Sequence, residues 1–554
     1  MRLSEGRPRL HTVTSSVLLD AGVVTRCRRR VHLENDPAMA NARKAPPDPT
    51  GEQRRADART HRRMVADRMA ALVTTGWTEI ALDAEPAERE RATLAALAGG
   101  ARFVWAPQLP LDLEGGRRGG IDLLVRAGAG YVPVLVVRHK VTDPGSGART
   151  SPLRDPTPAG SHVDACRKVR PQPRDQLRLA HVMRMLRACG FADDGHALAG
   201  VVGMDADVVV WHDLAAPTWP GGRTALAEYD SRLADRLAVA VAAATGGQPL
   251  AMPSRIVECR DCPWWPVCEA TLRASRDVSL VVRGEDAMQL RRAGITTVDQ
   301  LAAVDEVPVA LVGMAREDAV VLARAWLRDL TVVRRARRIT VPRADVEVDV
   351  DMESFGDAGA YMWGCLLTGA DVGEPPGYRS FVTWEPLPCD DEARSFAEFW
   401  TWLMEIVRRA AARGLTFRAY CYNELAENRW MLASAERFGG RQGIPTVSQV
   451  RKFVSSAAWV DVFGSVRDQF LCARGKGLKT IAPVAGFRWR DPEAGGENSM
   501  RWYRAAVGMN DAPADESQRQ RLLEYNEDDV RATLALRNWM SSPAMDDLPY
   551  AGDL

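Results

Sequence analysis

The sequence predicts an α/β protein of several domains, and three observations carry that reading. At 554 residues the chain is longer than one hydrophobic core normally serves. Residues 346–353, Val-Glu-Val-Asp-Val-Asp-Met-Glu, alternate apolar and acidic in the manner of a strand. Residues 522–539 read as a long helix, and residues 277–335 as helix throughout. A content of 46% hydrophobic and 26% charged residues is ordinary for a globular protein, so neither a disordered nor a fibrous chain is expected.

Taken in order, the first block covers residues 12–275 and mixes strand and helix patterns, with loop-rich inserts at 44–53 and 143–173. The first dozen residues of the chain, with Arg and Pro, read as a disordered or extended start. The second block, 277–335, is helical. The Arg-rich stretch 333–338 followed by Pro342 reads as a linker. The third block, 344–545, opens with the alternating strand and closes with the long helix. No repeat of fixed period is present.

The formal net charge of +1 makes any nucleic-acid surface a local one. The basic tracts at 26–30 and 334–338 are the candidates. There is no run of eighteen apolar residues and no secretory pattern at the start. Ten unevenly spaced cysteines do not make a disulfide scaffold at this length. A cytoplasmic protein without a membrane span is the expectation. No phosphate-cradling G-x-x-x-x-G-K-[ST] run occurs, so an ATP-driven motor is not expected and any helicase would be a separate protein.

Three acidic segments carry the chemistry. On the strand, Asp349, Asp351 and Glu353 point to one side, because residues two apart share a face. Tyr422-Asn423 is followed by Glu427. On the long helix Tyr525 and Asp529, four apart, share a face. Carboxylates converging from a strand and two helices repel unless cations hold them, and two divalent metals on a phosphodiester are the usual reason for such a site. Asp461, after Ala457-Ala458-Trp459-Val460, is a further candidate acid.

These motifs resemble those of the tyrosine-type DEDD 3′–5′ exonucleases, which have a ribonuclease H-like fold. The resemblance spans about residues 344–545 and includes Gly477-Leu478-Lys479-Thr480-Ile481-Ala482 with Gly486-Phe487. It implies that Asp351, Glu353, Glu427 and Asp529 bind two Mg²⁺ or Mn²⁺ and that Tyr525 positions the attacking water. Glu427 departs from the usual Asp, although its longer arm still reaches a metal.

In the first block, Cys259-x2-Cys262-x5-Cys268 suits a soft metal or an iron–sulfur centre, and spacing alone leaves zinc and iron–sulfur open. Cys27 is the attractive fourth ligand and Cys166 its rival. The block resembles the iron–sulfur group of RecB-type nucleases, which have a restriction-endonuclease-like fold. The resemblance implies a [4Fe–4S] cluster on Cys27, Cys259, Cys262 and Cys268. It also implies a nuclease site built from His61, Asp122, an acid before Lys140, and Gln176. Arg138 stands where the acid belongs, and Ala180, with His181 beside it, replaces the partner of Gln176. A guanidinium there repels Mg²⁺ and is expected to pair with Asp122, with Arg138 and Lys140 on one strand face. The expectation is an impaired nuclease that still binds DNA through these two cations. A metal site rebuilt with His139 or an acid from another segment is the alternative.

In the second block, the turns at Ala293-Gly294-Ile295 and Val312-Gly313-Met314 resemble helix-hairpin-helix motifs. There the glycine amides would meet DNA phosphates. Together these features predict a DNA-acting, metal-dependent 3′–5′ exonuclease. An exoribonuclease or a non-catalytic DNA-binding scaffold are the alternatives.

Overall fold

Residues 130–136 are apolar on both sides of a strand, and such a strand must be covered on both faces. In the computed structural model, which describes residues 17–554 apart from 74, 194, 510 and 511, it is. Val132, Val134 and Val136 pack with Val65, Ala66 and Met69 of the helix Pro49–Leu72. Leu135 packs with Leu177, Ala180 and Met183 of the helix Pro173–Ala188. The strand, Gly130–Val136, lies inside a mixed sheet that has eight strands among the described residues. It runs parallel to Leu198–Val202 and antiparallel to Leu123–Ala127. The chain divides into two units, the first ending at Thr271 and the second running Leu272–Leu554. The expected disordered start lies outside the described residues. No helix among them is long and apolar enough to cross a membrane.

The helical segment expected as a separate domain belongs to the second unit, as helices Gly284–Arg292, Val298–Ala303 and Arg316–Leu327. The Arg-rich stretch expected as a linker begins as a strand. Val332–Arg334 pairs antiparallel with Phe470–Cys472, and Val332 and Val333 are buried. Three residues are too few for alternation to register in the sequence.

The second unit is built on a five-stranded sheet among the described residues. Its strands are β1 (Val346–Ser354), β2 (Ala360–Gly369), β3 (Gly377–Val382), β4 (Phe417–Cys421) and β5 (Trp459–Asp461). Their order is β3-β2-β1-β4-β5. β2 is antiparallel to its neighbours β1 and β3, and β4 is parallel to β1 and β5. The helices that matter here are α1 (Asp391–Ala412), α2 (Leu425–Arg437), α3 (Gly496–Val507) and α4 (Glu516–Met540).

The alternation of β1 decides how it is covered. Val346, Val348, Val350 and Met352 join Phe396, Phe399, Leu403 and Ile406 of α1 in the core. The other face is acidic and lies under α4. Burying a row of carboxylates is costly unless each finds a partner. At one end Arg537 of α4, fully buried, supplies it: its guanidinium donates to Asp349 at 2.6 and 3.0 Å and to Glu347 at 2.8 Å. It also lies 3.6 Å over the Tyr420 ring. For Glu347, hydrogen bonds from Arg343 and Arg537 outweigh burial and hold its carboxyl down to about 2. Asp349, pushed up by complete burial, titrates near 6. Asp349 therefore serves this ion pair and is not drawn toward the other acids.

Candidate active site

Two turns of α4 before Arg537, no arginine among the described residues pairs with the acids that gather there. Carboxylate oxygens of Asp351, Glu353 and Asp529 lie within 4.8 Å of one another. Asp351 and Glu353 come from β1, which bulges between Glu353 and Ser354. Bulges recur beside active sites because they re-aim a side chain. Burial and then the neighbouring carboxylates push both groups up, Asp351 well above its usual range and Glu353 to about 8. Neither group forms a salt bridge among the described residues, and the Lys479 charge only partly offsets the shift.

Neutral groups fix Asp351 and Glu353, and one cation meets Asp529. Asn526 donates to Asp351 at 2.8 Å while accepting from the Tyr378 hydroxyl at 2.8 Å. That contact requires Gly364, which lies opposite Asp351 on β2, because a Cβ there would fall 1.5 Å from the Asn526 Oδ1. Glu353 accepts from Ser499 of α3 at 2.9 Å and from Tyr361 at 3.4 Å. Asp529 accepts from the Trp489 indole at 2.6 Å and from the Lys479 ammonium. Lys479 also lies 4.3 Å over the Trp489 ring and 4.4 Å over the Tyr525 ring. It is the cation that the fold itself places at the site. Asp528 and Glu527, beside Asp529 in sequence, turn away to Arg490.

Tyr525 is buried next to the same acids. Burial, then Glu353, Asp529 and Asp351, keep its phenol protonated far above its ordinary range. Glu427, in the first turn of α2, is not within 4.8 Å of all three clustered acids. It is buried, titrates near 8 chiefly through burial, and its Oε2 has no hydrogen-bond partner. The turn before it is set by Asn423 at φ +71°, a conformation Asn tolerates better than most residues. Asp461, the other candidate acid, accepts from the amides of Asn423 and Phe463 at 2.9 and 3.0 Å, and so braces this turn and caps a helix. Lys479, Trp489, Ser499, Asn526 and Gly364 were not assigned roles from sequence. Lys479 alone carried a signal, its place in the Gly477–Ala482 run.

In the first unit, the nuclease-like residues depart from expectation. The strand ends at Val136, so Arg138 and Lys140 lie beyond it and share no strand face. Arg138 pairs with Asp57 at 3.5 Å, whereas Arg62 takes the predicted place at Asp122, at 3.1 Å. The helix Pro49–Leu72 brings Arg62 closer than the loop brings Arg138, which sequence could not reveal. Asp122 also accepts from the Val136 amide at 2.7 Å. His61 is buried, bonds the Gly203 carbonyl at 3.2 Å and is held neutral chiefly by burial. Gln176 accepts from Trp219 at 3.0 Å, and His139 bonds Asp175 at 2.8 Å.

Cys27, Cys259, Cys262 and Cys268 line one small cavity with Arg29, Arg30 and Glu258, and none is in a disulfide. Glu258 ties the two segments by accepting from the Cys27 amide at 2.7 Å. Cys166 is exposed and does not line this cavity. Burial pushes the Cys268 thiol up to about 11, and Cys259 and Cys262 shift the same way.

In the helical segment, the Gly313 amide donates to Asp286 at 2.8 Å, and the Gly294 amide closes the preceding helix on the Arg291 carbonyl at 3.0 Å. Both amides are committed within the protein, unlike the open amides that a phosphate clamp needs.

A family model described as the RNase_H superfamily matches residues 437–541. Tyr525 and Asp529 fall inside the match, and Asp351, Glu353 and Glu427 precede it. No curated protein and no solved structure matches the chain. The mixed sheet, the acidic cluster and this match agree: the chain carries a ribonuclease H-like nuclease domain in its C-terminal part.

Proposed function

We propose that the C-terminal domain removes nucleotides from the 3′ end of a DNA strand with the help of two divalent cations. The observation that supports this most is the buried meeting of Asp351, Glu353 and Asp529, with Glu427 orphaned beside them. An all-oxygen donor set suits Mg²⁺ or Mn²⁺. Two such ions, held by Asp351, Glu353, Glu427 and Asp529, would supply Lewis-acid stabilisation of the attacking and leaving oxygens. The chain's own residues do the rest. Tyr525 keeps its proton and donates a hydrogen bond that orients the attacking water. Asn526 and Ser499 hold Asp351 and Glu353 in place, and Lys479 adds positive charge beside the phosphate.

The first unit reads best as a RecB-type fold with impaired cleavage that retains DNA binding. Arginines at Asp122 and at the acid position both oppose a metal there. For the four cysteines a [4Fe–4S] cluster is favoured over zinc. The support is the resemblance of this block to iron–sulfur RecB-type nucleases, with Cys27 and the Cys259-x2-Cys262-x5-Cys268 run lining one cavity. Unwinding, where needed, falls to a separate helicase.

The test is the full chain with Mn²⁺ on 5′-labelled single-stranded DNA and RNA. A ladder shortening from the 3′ end of DNA is expected. Cleavage of RNA alone would make it an exoribonuclease, and binding without cleavage would make it a scaffold. Protein purified without oxygen should be brown, with iron and sulfide in near-equal amounts. Cys27→Ser should lose that colour and Cys365→Ser should keep it, and stoichiometric zinc without iron would overturn the assignment.

A further inference from the structure

One cationic cavity of the first unit includes Asp122 on its wall, and its role rests on the reading that this unit retains DNA binding. It encloses about 640 Å³ and is lined by Arg59, Arg62, Arg63, Arg89 and Arg178, with Asp122 the single acid on its wall. Cavities of this size hold small organic ligands. The arginines are poorly neutralised. Arg59 makes no salt bridge among the described residues, and Arg178 shares the single charge of Asp122 with Arg62. Arg62 Nε lies 3.1 Å from Asp122 without forming a hydrogen bond. Arg89 donates to the Ala106 carbonyl at 3.2 Å, but its Nε is buried with no partner. Arg63 alone is well paired, with Asp67 and Glu79. Guanidinium groups converging on a cavity select a multiply charged oxyanion, and their planar fork matches phosphate.

The rest of the wall is apolar, and includes Trp105, Pro107, Ile121 and Val182. Trp105 is itself stacked on Trp77 at 5.8 Å. An apolar wall with an aromatic ring, set against a cationic wall, matches a nucleotide: base on one side and phosphate on the other. A second opening shares Arg59 and Arg62 and continues along the same helix past Arg55. Positions 55, 59 and 62 follow one helix face, so the cations form a track leading out of the cavity. A free nucleotide has no use for the track, whereas a strand places its next phosphates there.

We propose that this cavity captures the phosphorylated end of a single nucleic-acid strand, seating the terminal nucleotide inside and its neighbours along Arg59 and Arg55. The test uses the full chain with chelator present, so that binding is read without cleavage and independently of the C-terminal acids. Short single-stranded oligonucleotides with a 5′-phosphate, a 3′-phosphate or hydroxyls at both ends are compared by fluorescence anisotropy, with a nucleoside monophosphate as competitor. One phosphorylated end should bind at least tenfold tighter than the hydroxyl-ended strand, and which end it is assigns the polarity. Arg178→Glu and the exposed Arg59→Glu should each abolish that preference, and Arg59→Lys should restore most of it. Equal affinity for phosphate and hydroxyl ends, or a preference that survives Arg178→Glu in folded protein, would overturn the proposal. So would a free nucleotide that competes better than the strand end.

Discussion

Metal loading of the C-terminal site should release protons, and the amount follows from the structure. Burial and neighbouring acids bring Glu353 to about 8, and burial brings Glu427 to about 8. At pH 7 a group titrating near 8 holds its proton in about nine molecules of ten. A metal takes the carboxylate, so loading should expel about 0.9 proton from each of these groups that becomes a ligand. Below pH 8 each such proton costs about 1.4 kcal/mol per pH unit, so affinity should fall on the order of a hundredfold per group between pH 8 and pH 6. The same raised values set the sign for stability. Glu353 holds its proton in the folded state above the pH at which the unfolded chain loses it. The metal-free unit therefore loses stability as pH rises from the usual Glu range through about 8, and Mn²⁺ restores it. Calorimetric titration of Mn²⁺ into chelator-stripped protein, in two buffers of different ionisation enthalpy, measures the release directly. Glu353→Gln should lower it by about one proton. No release at pH 7, or unchanged release in that variant, would refute the picture of acids awaiting a cation.

Further outcomes are expected from single substitutions. Asp351→Ala and Asp529→Ala should each slow cleavage about a hundredfold or more, on the order of 3 kcal/mol, in a single-turnover assay. Tyr525→Phe should be slower with metal binding intact, and Glu427→Asp should keep activity that Glu427→Gln loses. Gly364→Ala should displace Asn526 and cost about 1–3 kcal/mol in chemical denaturation, with cleavage reduced although no ligand is touched. Arg537→Met should cost about 3–5 kcal/mol, because it leaves Asp349 and Glu347 buried without their shared cation.

The sequence by itself determined much of the C-terminal site. Period-two alternation in β1 told which face Asp349, Asp351 and Glu353 share, and helical spacing put Tyr525 beside Asp529, because both follow from local backbone geometry. What a shared face meets is not local. Only the tertiary structure decided that Arg537 takes Asp349 while Asp351 and Glu353 stay unpaired, since the choice depends on where α4 crosses β1. The same holds in the first unit. The sequence set Arg138 where an acid was expected, but the fold sent it to Asp57 and brought Arg62 to Asp122, because a helix packed on the sheet reaches further over that strand than the loop after it. The glycine turns at 294 and 313 were legible as turns. That Asp286 would occupy the Gly313 amide was not, since the two are brought together only by packing of the surrounding helices. Cys27 lines one cavity with the distant run Cys259, Cys262 and Cys268 for the same reason: spacing within a segment is written in the sequence, and the meeting of segments is set by the core that packs them.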